Sequence, residues 1–454
     1  MQDTLSSSVE RINQHLENAT LFYLSNDPER ALGLEDLLPN MHIVYIDSSQ
    51  YRPYFEGVGI KSMCLADLGG DCNFRSSAKL IRSPEFIKYF DRHKKARNYI
   101  QTFKISSQFS FQVNKLGCIS MNTSALLNRQ FEDKISQYEN ISDIGVSLPK
   151  TIITELCKMA YCDLVKKLGE RFVVQFDRGH TGSGTVFVES DAQFVELQKL
   201  FPMRHVRISQ FVDGRAYTLN ACVGRDGIYM GGLSAQITGI PQLTPNAGGT
   251  IGNDWAYRKD LVSGVNAIRE DVGKIGNTMR ANGYKGMFGV DLVVRHDGTH
   301  VVIEINARQP ASIPMYSKMQ LISGQIPLAL IHLLEFFNLS YEIDFEKYNE
   351  FNLKPSDFSQ VFIRPETEMM VQSEMSMGAY YLARDGRAKS SKPSYSIDEI
   401  ESNEFVALTQ KAGRMVKRNA ELARIQIRQA ALEDDGRLKK WIVETLLAIK
   451  DYQK

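Results

Sequence analysis

The sequence predicts a multidomain protein that is α/β in its opening segment and α+β beyond it, and three observations carry that reading. Residues 19–24 (ATLFYL) and 41–46 (MHIVYI) are apolar strands separated by a short helical stretch, the spacing of a parallel strand–helix–strand unit. Residues 172–188 set a glycine-rich turn between two strands. Residues 288–306 set Asp297-Gly298 between two further strands, and Asp-Gly is a favoured hairpin pair because both positions tolerate positive φ. At 454 residues the chain outgrows a single core, so roughly two to four domains are expected.

Composition narrows the function classes. The chain is 43% hydrophobic and 24% charged, close to the soluble globular average, which excludes wholesale disorder. Lys plus Arg total 54 against 53 Asp plus Glu, so the basic excess of a dedicated nucleic-acid binder is missing. The most apolar stretch, Ile326 to Phe337, is short and carries His332 and Glu335, so no membrane partner is expected. The first twenty residues lack an apolar signal core, and a cytoplasmic location is expected. Six cysteines without a CxxC pair give no disulfide framework. Cys157 and Cys162 are expected on an ordinary helix.

Along the chain, the opening strands are separated by Asn26-Asp27-Pro28 and a helical stretch ending near Pro39. Gly57-Val-Gly59 lacks the third glycine of a dinucleotide fingerprint. From about 126, a helical stretch containing Lys134 leads to Gly145 and Pro149. Strands are predicted over 172–176, 185–188, 206–212, 216–223 and 228–230, with a turn at 224–227. Val265, Ile268, Val272, Ile275 and Met279 recur at helical spacing within 261–281, and Gly283 is a plausible C-cap. Beyond about 345 the pattern is mixed, and charged helices are predicted over 401–432 and 437–451. Lys411, Arg414, Lys417 and Arg418 are read there as a solvated face.

The hairpin is the most informative element. With a two-residue loop, Asp291 stands opposite Glu304 and Gly289 opposite Asn306. The two-residue period then puts Asp291, Glu304 and Asn306 on one face. Facing carboxylates repel unless a cation lies between them, and three hard oxygen ligands suit Mg²⁺. A face turned to water is the alternative, but Glu304 and Asn306 are set inside the apolar run VVIEIN.

In the glycine-rich turn, Gly179, Gly182 and Gly184 would let backbone N–H groups approach phosphate, and Thr181 and Ser183 add hydroxyl donors. Gly179 and Gly184 have P-loop separation, yet Thr185 stands in the lysine's place and a strand follows instead of a helix.

Taken in order, the helical lysine, the glycine-rich hairpin, the strand over 206–212 and the Asp…Glu-x-Asn pair resemble the ATP-grasp superfamily, most closely its carboxylate–amine (peptide) ligases. The resemblance spans about 126 to 320, and GVDLVV…DG…VVIEINAR is its most specific stretch. It implies a Rossmann-like domain over 1–125, a small lobe over 126–205, a large lobe over 206–344 and a mixed or helical extension over 345–454. It implies ATP and Mg²⁺, with Asp291, Glu304 and Asn306 as metal ligands and Lys134 as the first phosphate lysine. Adenine would be held by backbone groups of Gln210, Phe211 and Val212. Asp213 would stand in for the usual ribose acid, because Arg215-Ala216 occupies that place. Gln175 replaces the family's second lysine, leaving more phosphate charge to Lys134, Arg178 or Arg308. Arg308 resembles an arginine aimed at substrate carboxylate or acyl phosphate.

The resemblance further implies phosphorylation of a small carboxylate by ATP and capture of the acyl phosphate by an amine, with homodimerisation possible. The Glu-x-Asn-x-Arg ending is shared with biotin carboxylases and carbamoyl-phosphate synthetases, which gives a carboxylating alternative. Loss of the lysine at 175 leaves an ATP sensor without turnover as a third.

Overall fold

The computed structural model describes residues 3–177, 184–261, 264–383 and 388–454. The opening segment supplies β1 (Ala19–Ser25), β2 (Met41–Tyr45), β3 (Lys61–Cys64), β4 (Arg97–Thr102) and β5 (Ile119–Ser120). They pair in parallel in the order β3-β2-β1-β4-β5, so the order reverses beside β1. Every residue of β1 is buried, as a parallel sheet covered on both faces requires. Leu21 and Tyr23 share one core with helix Leu328–Phe337, while Phe22 and Leu24 join Phe86 and Phe90 on the opposite face.

A small antiparallel lobe follows, built from β6 (Thr151–Glu155), β7 (Phe172–Phe176), β8 (Thr185–Val188) and β9 (His205–Gln210) in the order β6-β9-β7-β8. The chain then crosses into a larger antiparallel sheet. Its strands begin with β10 (Arg215–Val223), β11 (Ile228–Thr238), β12 (Thr250–Asp254), β13 (Gly286–Val294) and β14 (His300–Asn306). They continue with β15 (Ser359–Ile363), then β17 (Gly378–Leu382) and β18 (Ala388–Lys392), which follow the short β16 (Met369–Met370). The last are β19 (Glu404–Thr409) and β21 (Ala423–Ile427), with the short β20 (Met415–Val416) between them pairing with β16. The order β14-β13-β10-β11-β12-β15-β21-β19-β17-β18 is continuous through the pairing of Gly252 with Val361, so the sheet runs on past residue 344.

Helix Val265–Ala281 buries Ile268, Val272, Ile275 and Met279, and Gly283 follows it at φ +83° with the Tyr284 N–H returning to the Met279 carbonyl. The helix expected over 401–432 is absent: β19, β20 and β21 occupy it. Positive φ at Gly413 and Asn419 interrupts any helix, and the runs EFVALT and ARIQI are buried at every position. Helix Lys440–Gln453 closes the chain. Arg414 is also not on a solvated face. It is drawn inward to pair with Asp27 and, at 2.9 Å, Asp47, while Lys411 bonds to the Ser48 hydroxyl and Lys417 and Arg418 stay exposed.

The hairpin loop differs from the expected one. The Arg295 N–H donates to the Thr299 carbonyl around the three residues His296 to Gly298, with Gly298 at φ +82°. Strand pairs nearest the loop are therefore Leu292 with Val302 and Val294 with His300. A bulge at Ile303 then restores the expected pairs Asp291–Glu304 and Gly289–Asn306.

Among the described residues, no helix is long and apolar enough to cross a membrane. The apolar stretch at 326–337 is a core helix, and its histidine is paired in the neutral form. His332 Nδ1 accepts from the Met287 N–H, and Nε2 donates to the Met121 carbonyl. Burial pushes its pKa from 6.5 down to about 4. Below pH 6.5 the unfolded chain takes up a proton that the native state refuses, so stability is full above that pH and is lost towards pH 4. The loss attributable to His332 should reach about 3 kcal/mol, read as the difference between wild type and His332→Gln in urea unfolding at pH 7 and pH 4. Equal pH dependence in both proteins would contradict it.

Candidate active site

Strands β13 and β14 lie at one edge of the large sheet and turn one face towards the small lobe, where the chemistry-bearing side chains collect. Asp291 Oδ1 accepts from Thr218 Oγ1 at 2.6 Å and from Gln236 Nε2 at 2.9 Å, both from neighbouring strands. Asp291 Oδ2 accepts from Asn306 Nδ2 at 3.0 Å. Glu304, directly opposite Asp291, pairs with Lys134, whose side chain is 9% exposed. The structure therefore brings Asp291, Glu304, Asn306 and Lys134 together.

Electrostatics here follow from burial and crowding. Burial, then the charge on Glu304, pushes Asp291 up to about 6. Burial also works against ionised Glu304, but the Lys134 ammonium and Arg308 hold its carboxyl below the usual range. Two half-buried carboxylates beside one lysine suit a divalent cation, so the donor set fits Mg²⁺. Asn306 fits less directly, because its Oδ1 accepts from Arg308 at 2.8 Å and its amide would have to turn over to face an ion.

Lys134 opens helix Lys134–Ile141, whose first turn docks on the end of β7: the Lys134 N–H donates to the Asp177 carbonyl and the Ile135 N–H to Asp177 Oδ1. This places Lys134 beside Asp177, which follows β7. Gly179, Thr181, Gly182 and Ser183, with Arg178, lie outside the described residues. Gly184 accepts from the Phe176 N–H at the mouth of the β7–β8 hairpin.

The lobes are joined by 211–214, between β9 and β10. The Gln210 N–H is already spent on the Lys150 carbonyl, and the Phe211 N–H on that of Arg171, whose guanidinium lies 4.0 Å from the Phe211 ring centroid. Asp213 is exposed at the rim, 3.7 Å from His296. Arg215 turns away to Asp260 and the Gly436 carbonyl.

Sequence reasoning missed two residues that position this site. Arg207 on β9 pairs in register with Gln175 on β7, and its Nε donates to Gln175 Oε1 at 2.9 Å. The same guanidinium donates to the Ile303 carbonyl of the bulge at 2.7 Å and to the Lys134 carbonyl at 3.4 Å. Burial lowers its pKa to about 10, which leaves it charged at neutral pH. The second is Glu132, which receives Arg308 Nε at 3.1 Å and Lys104 Nζ at 2.6 Å. Burial opposes its charge, but Arg308 and Lys104 bring its carboxyl down to about 2. The available signals were the every-second-residue position of Arg207 and Gln210's neighbours on β9, and Glu132 two residues before Lys134 in FEDKIS.

A family model for the ATP-grasp domain matches residues 131–312, the stretch that holds these residues. Residues 131–312 are thus matched to the ATP-grasp domain. Among solved structures it resembles the Campylobacter jejuni biotin carboxylase, solved as a β,γ-ATP complex. The TM-score is 0.61 at 13% identity over 90% of this chain and 87% of that one. N5-carboxyaminoimidazole synthase of Aspergillus clavatus, solved with ADP and 5-aminoimidazole ribonucleotide, gives a TM-score of 0.58 at 11% identity. That match covers 96% of this chain and 98% of the other. The biotin carboxylase domain dimer of Hydrogenobacter thermophilus 2-oxoglutarate carboxylase, with MgADP, ADP and bicarbonate, gives 0.60 at 11% over 90% and 86%. At these identities the likeness is one of fold. No curated protein matches the chain.

Removing Arg207 should leave the Ile303 carbonyl and Gln175 without their donor in a buried place. Arg207→Met is expected to cost about 2–4 kcal/mol in urea unfolding. A change below about 0.5 kcal/mol, the scale of an ordinary surface substitution, would show that the contact is dispensable.

Proposed function

We propose that this chain activates a substrate carboxylate with ATP and passes the acyl group to an amine, releasing ADP and phosphate. The observation that carries the reading is the half-buried Asp291–Glu304 pair with Lys134 on Glu304 and Arg308 on Asn306. Asp291 and Glu304 would hold Mg²⁺, which supplies charge neutralisation between phosphates when bound. Lys134 would hold transferring phosphate, with backbone donors of the glycine-rich turn beside it. The Val212 N–H and the carbonyls of 210–212 are the remaining hinge groups for adenine, given the bonds of Gln210 and Phe211. Arg308, fixed by Glu132, would steady the charge that develops on the acyl phosphate. No enzyme nucleophile is needed, since the substrate carboxylate attacks phosphorus directly.

A second reading is favoured by the fold relatives, two of which are biotin carboxylases, one of them solved with bicarbonate. In it the activated acid is bicarbonate. ADP release measured with bicarbonate alone, with pooled carboxylic acids, and with acids plus amino acids or small peptides separates the two. Acid-dependent ADP with a new amide mass supports the ligase. Bicarbonate-dependent ADP supports the carboxylating enzyme, and tight ATP binding without turnover removes both.

Two substitutions test the residue roles. Glu304→Gln should lower turnover by about a hundredfold or more, because it removes one of the two carboxylates that would hold Mg²⁺. Its far-ultraviolet circular dichroism should remain native; unfolding at room temperature would make Glu304 a structural residue. Lys134→Ala should raise the ATP concentration for half-saturation by about tenfold, the loss expected for one charge-assisted phosphate contact. An unchanged value would take Lys134 out of the nucleotide site.

A further inference from the structure

Beyond the metal pair lies a second group of charged side chains that phosphoryl transfer to a simple acid does not use. It sits at the carboxyl ends of β1 and β4, where the order of the parallel sheet reverses, the place where open α/β sheets hold ligands. The segment Pro28–Ala31 follows β1, and Phe103 follows β4. Arg30 stacks on Phe103 with its guanidinium carbon 4.4 Å from the ring centroid. Arg308 stacks on the same ring at 4.8 Å. Two guanidinium groups thus lie no farther apart than the sum of those distances.

Their circumstances differ. Arg308 is tied to Glu132 and Asn306. Among the described residues, the Arg30 guanidinium makes no hydrogen bond or ion pair, although burial disfavours its charge and its cationic neighbours Arg424 and Arg308 disfavour it further. Glu421, the nearby acid, is committed to Arg424 by two bonds of 2.9 and 2.8 Å. Asp27 is committed to Arg414. Arg30 keeps partial contact with solvent despite this depth. A half-buried arginine without a hydrogen-bonded or ion-paired partner, stacked with a second arginine on one aromatic ring, lacks an anion.

We propose that the acid activated by this protein is a short molecule with a second anionic group, and that Arg30 binds that group while Arg308 faces the reacting carboxylate. The inference rests on the carboxylate-activating reading above. It excludes bicarbonate and simple monocarboxylic acids as the preferred substrate, since neither reaches from Arg308 to Arg30 with two charges.

Binding of succinate, 3-phosphoglycerate and propionate to the full chain, followed by calorimetry without ATP, tests it independently of turnover. At least one of the two dianions should bind about tenfold more tightly than propionate, the worth of one additional charged contact. Arg30→Gln, checked for native circular dichroism, should abolish that advantage. A succinate advantage identifies a carboxylate as the second group, and a 3-phosphoglycerate advantage identifies a phosphate. Equal binding of all three acids, no binding of either dianion, or an advantage that survives in Arg30→Gln would overturn the proposal. Failure of the ligase reading itself would show separately, as absent acid-dependent ADP with dianion binding intact.

Discussion

Two carboxylates fixed opposite each other on adjoining strands are the constraint around which this site is arranged. The antiparallel register that pairs Asp291 with Glu304 leaves neither free to move away. Each is therefore held by donors from elsewhere: Thr218, Gln236 and Asn306 on Asp291, and Lys134 on Glu304. The lysine belongs to a helix that docks on the small lobe at Asp177, so the residue that neutralises Glu304 also ties it to that lobe. A sheet selected only for stability would not keep such a pair. The crowding pushes Asp291 up through burial and the charge on Glu304, and a cation between the two would relieve it.

Arg207 explains how the chain manages without a lysine at 175. Position 175 and position 207 are register partners, so charge removed from β7 is supplied from β9 a strand's width away. The substitution is not equivalent. A lysine there would point a free ammonium at phosphate, whereas Arg207 divides its donors among Gln175, the Ile303 bulge and the Lys134 carbonyl. Its contribution is to fix the bulge that sets the Asp291–Glu304 register and to hold the helix that bears Lys134. In the proposed reading, phosphate charge is left to Lys134 and Arg308.

What the sequence disclosed follows from which interactions are local. The face shared by Asp291, Glu304 and Asn306 was legible because side chains alternate along a strand. Even so, the register was reached through two departures that offset each other, a loop one residue longer and one bulged residue at Ile303. The helix at 265–281 was legible from its apolar period, and the parallel opening unit from its wholly apolar strands. Residues 401–432 were misread because Lys411, Arg414, Lys417 and Arg418 recur at helical spacing, while the features that decide the matter are Gly413 and Asn419 in the left-handed region. Arg207 and Glu132 were invisible for a different reason. Each acts through partners 28 to 176 residues away, and no local pattern records such contacts.

The misread segment also shows why the last hundred residues belong to the site. With β15, β21, β19, β17 and β18 added to the large sheet, the C-terminal part stands over the carboxyl ends of the parallel strands. Arg414 reaches across to Asp27 and Asp47, and Gln50 Nε2 reaches back to Thr409 Oγ1 at 2.8 Å, so the loops after β1 and β2 are pinned from that side. Arg424 and Glu421 form a closed pair beside them. The Arg414 and Arg424 contacts engage acids that could otherwise have compensated Arg30. The arrangement therefore does more than close a domain interface. It commits Asp27, Asp47 and Glu421 to other bases and leaves the Arg30 guanidinium beside Phe103, which gives this end of the site a positive character that the Asp291–Glu304 pair does not have.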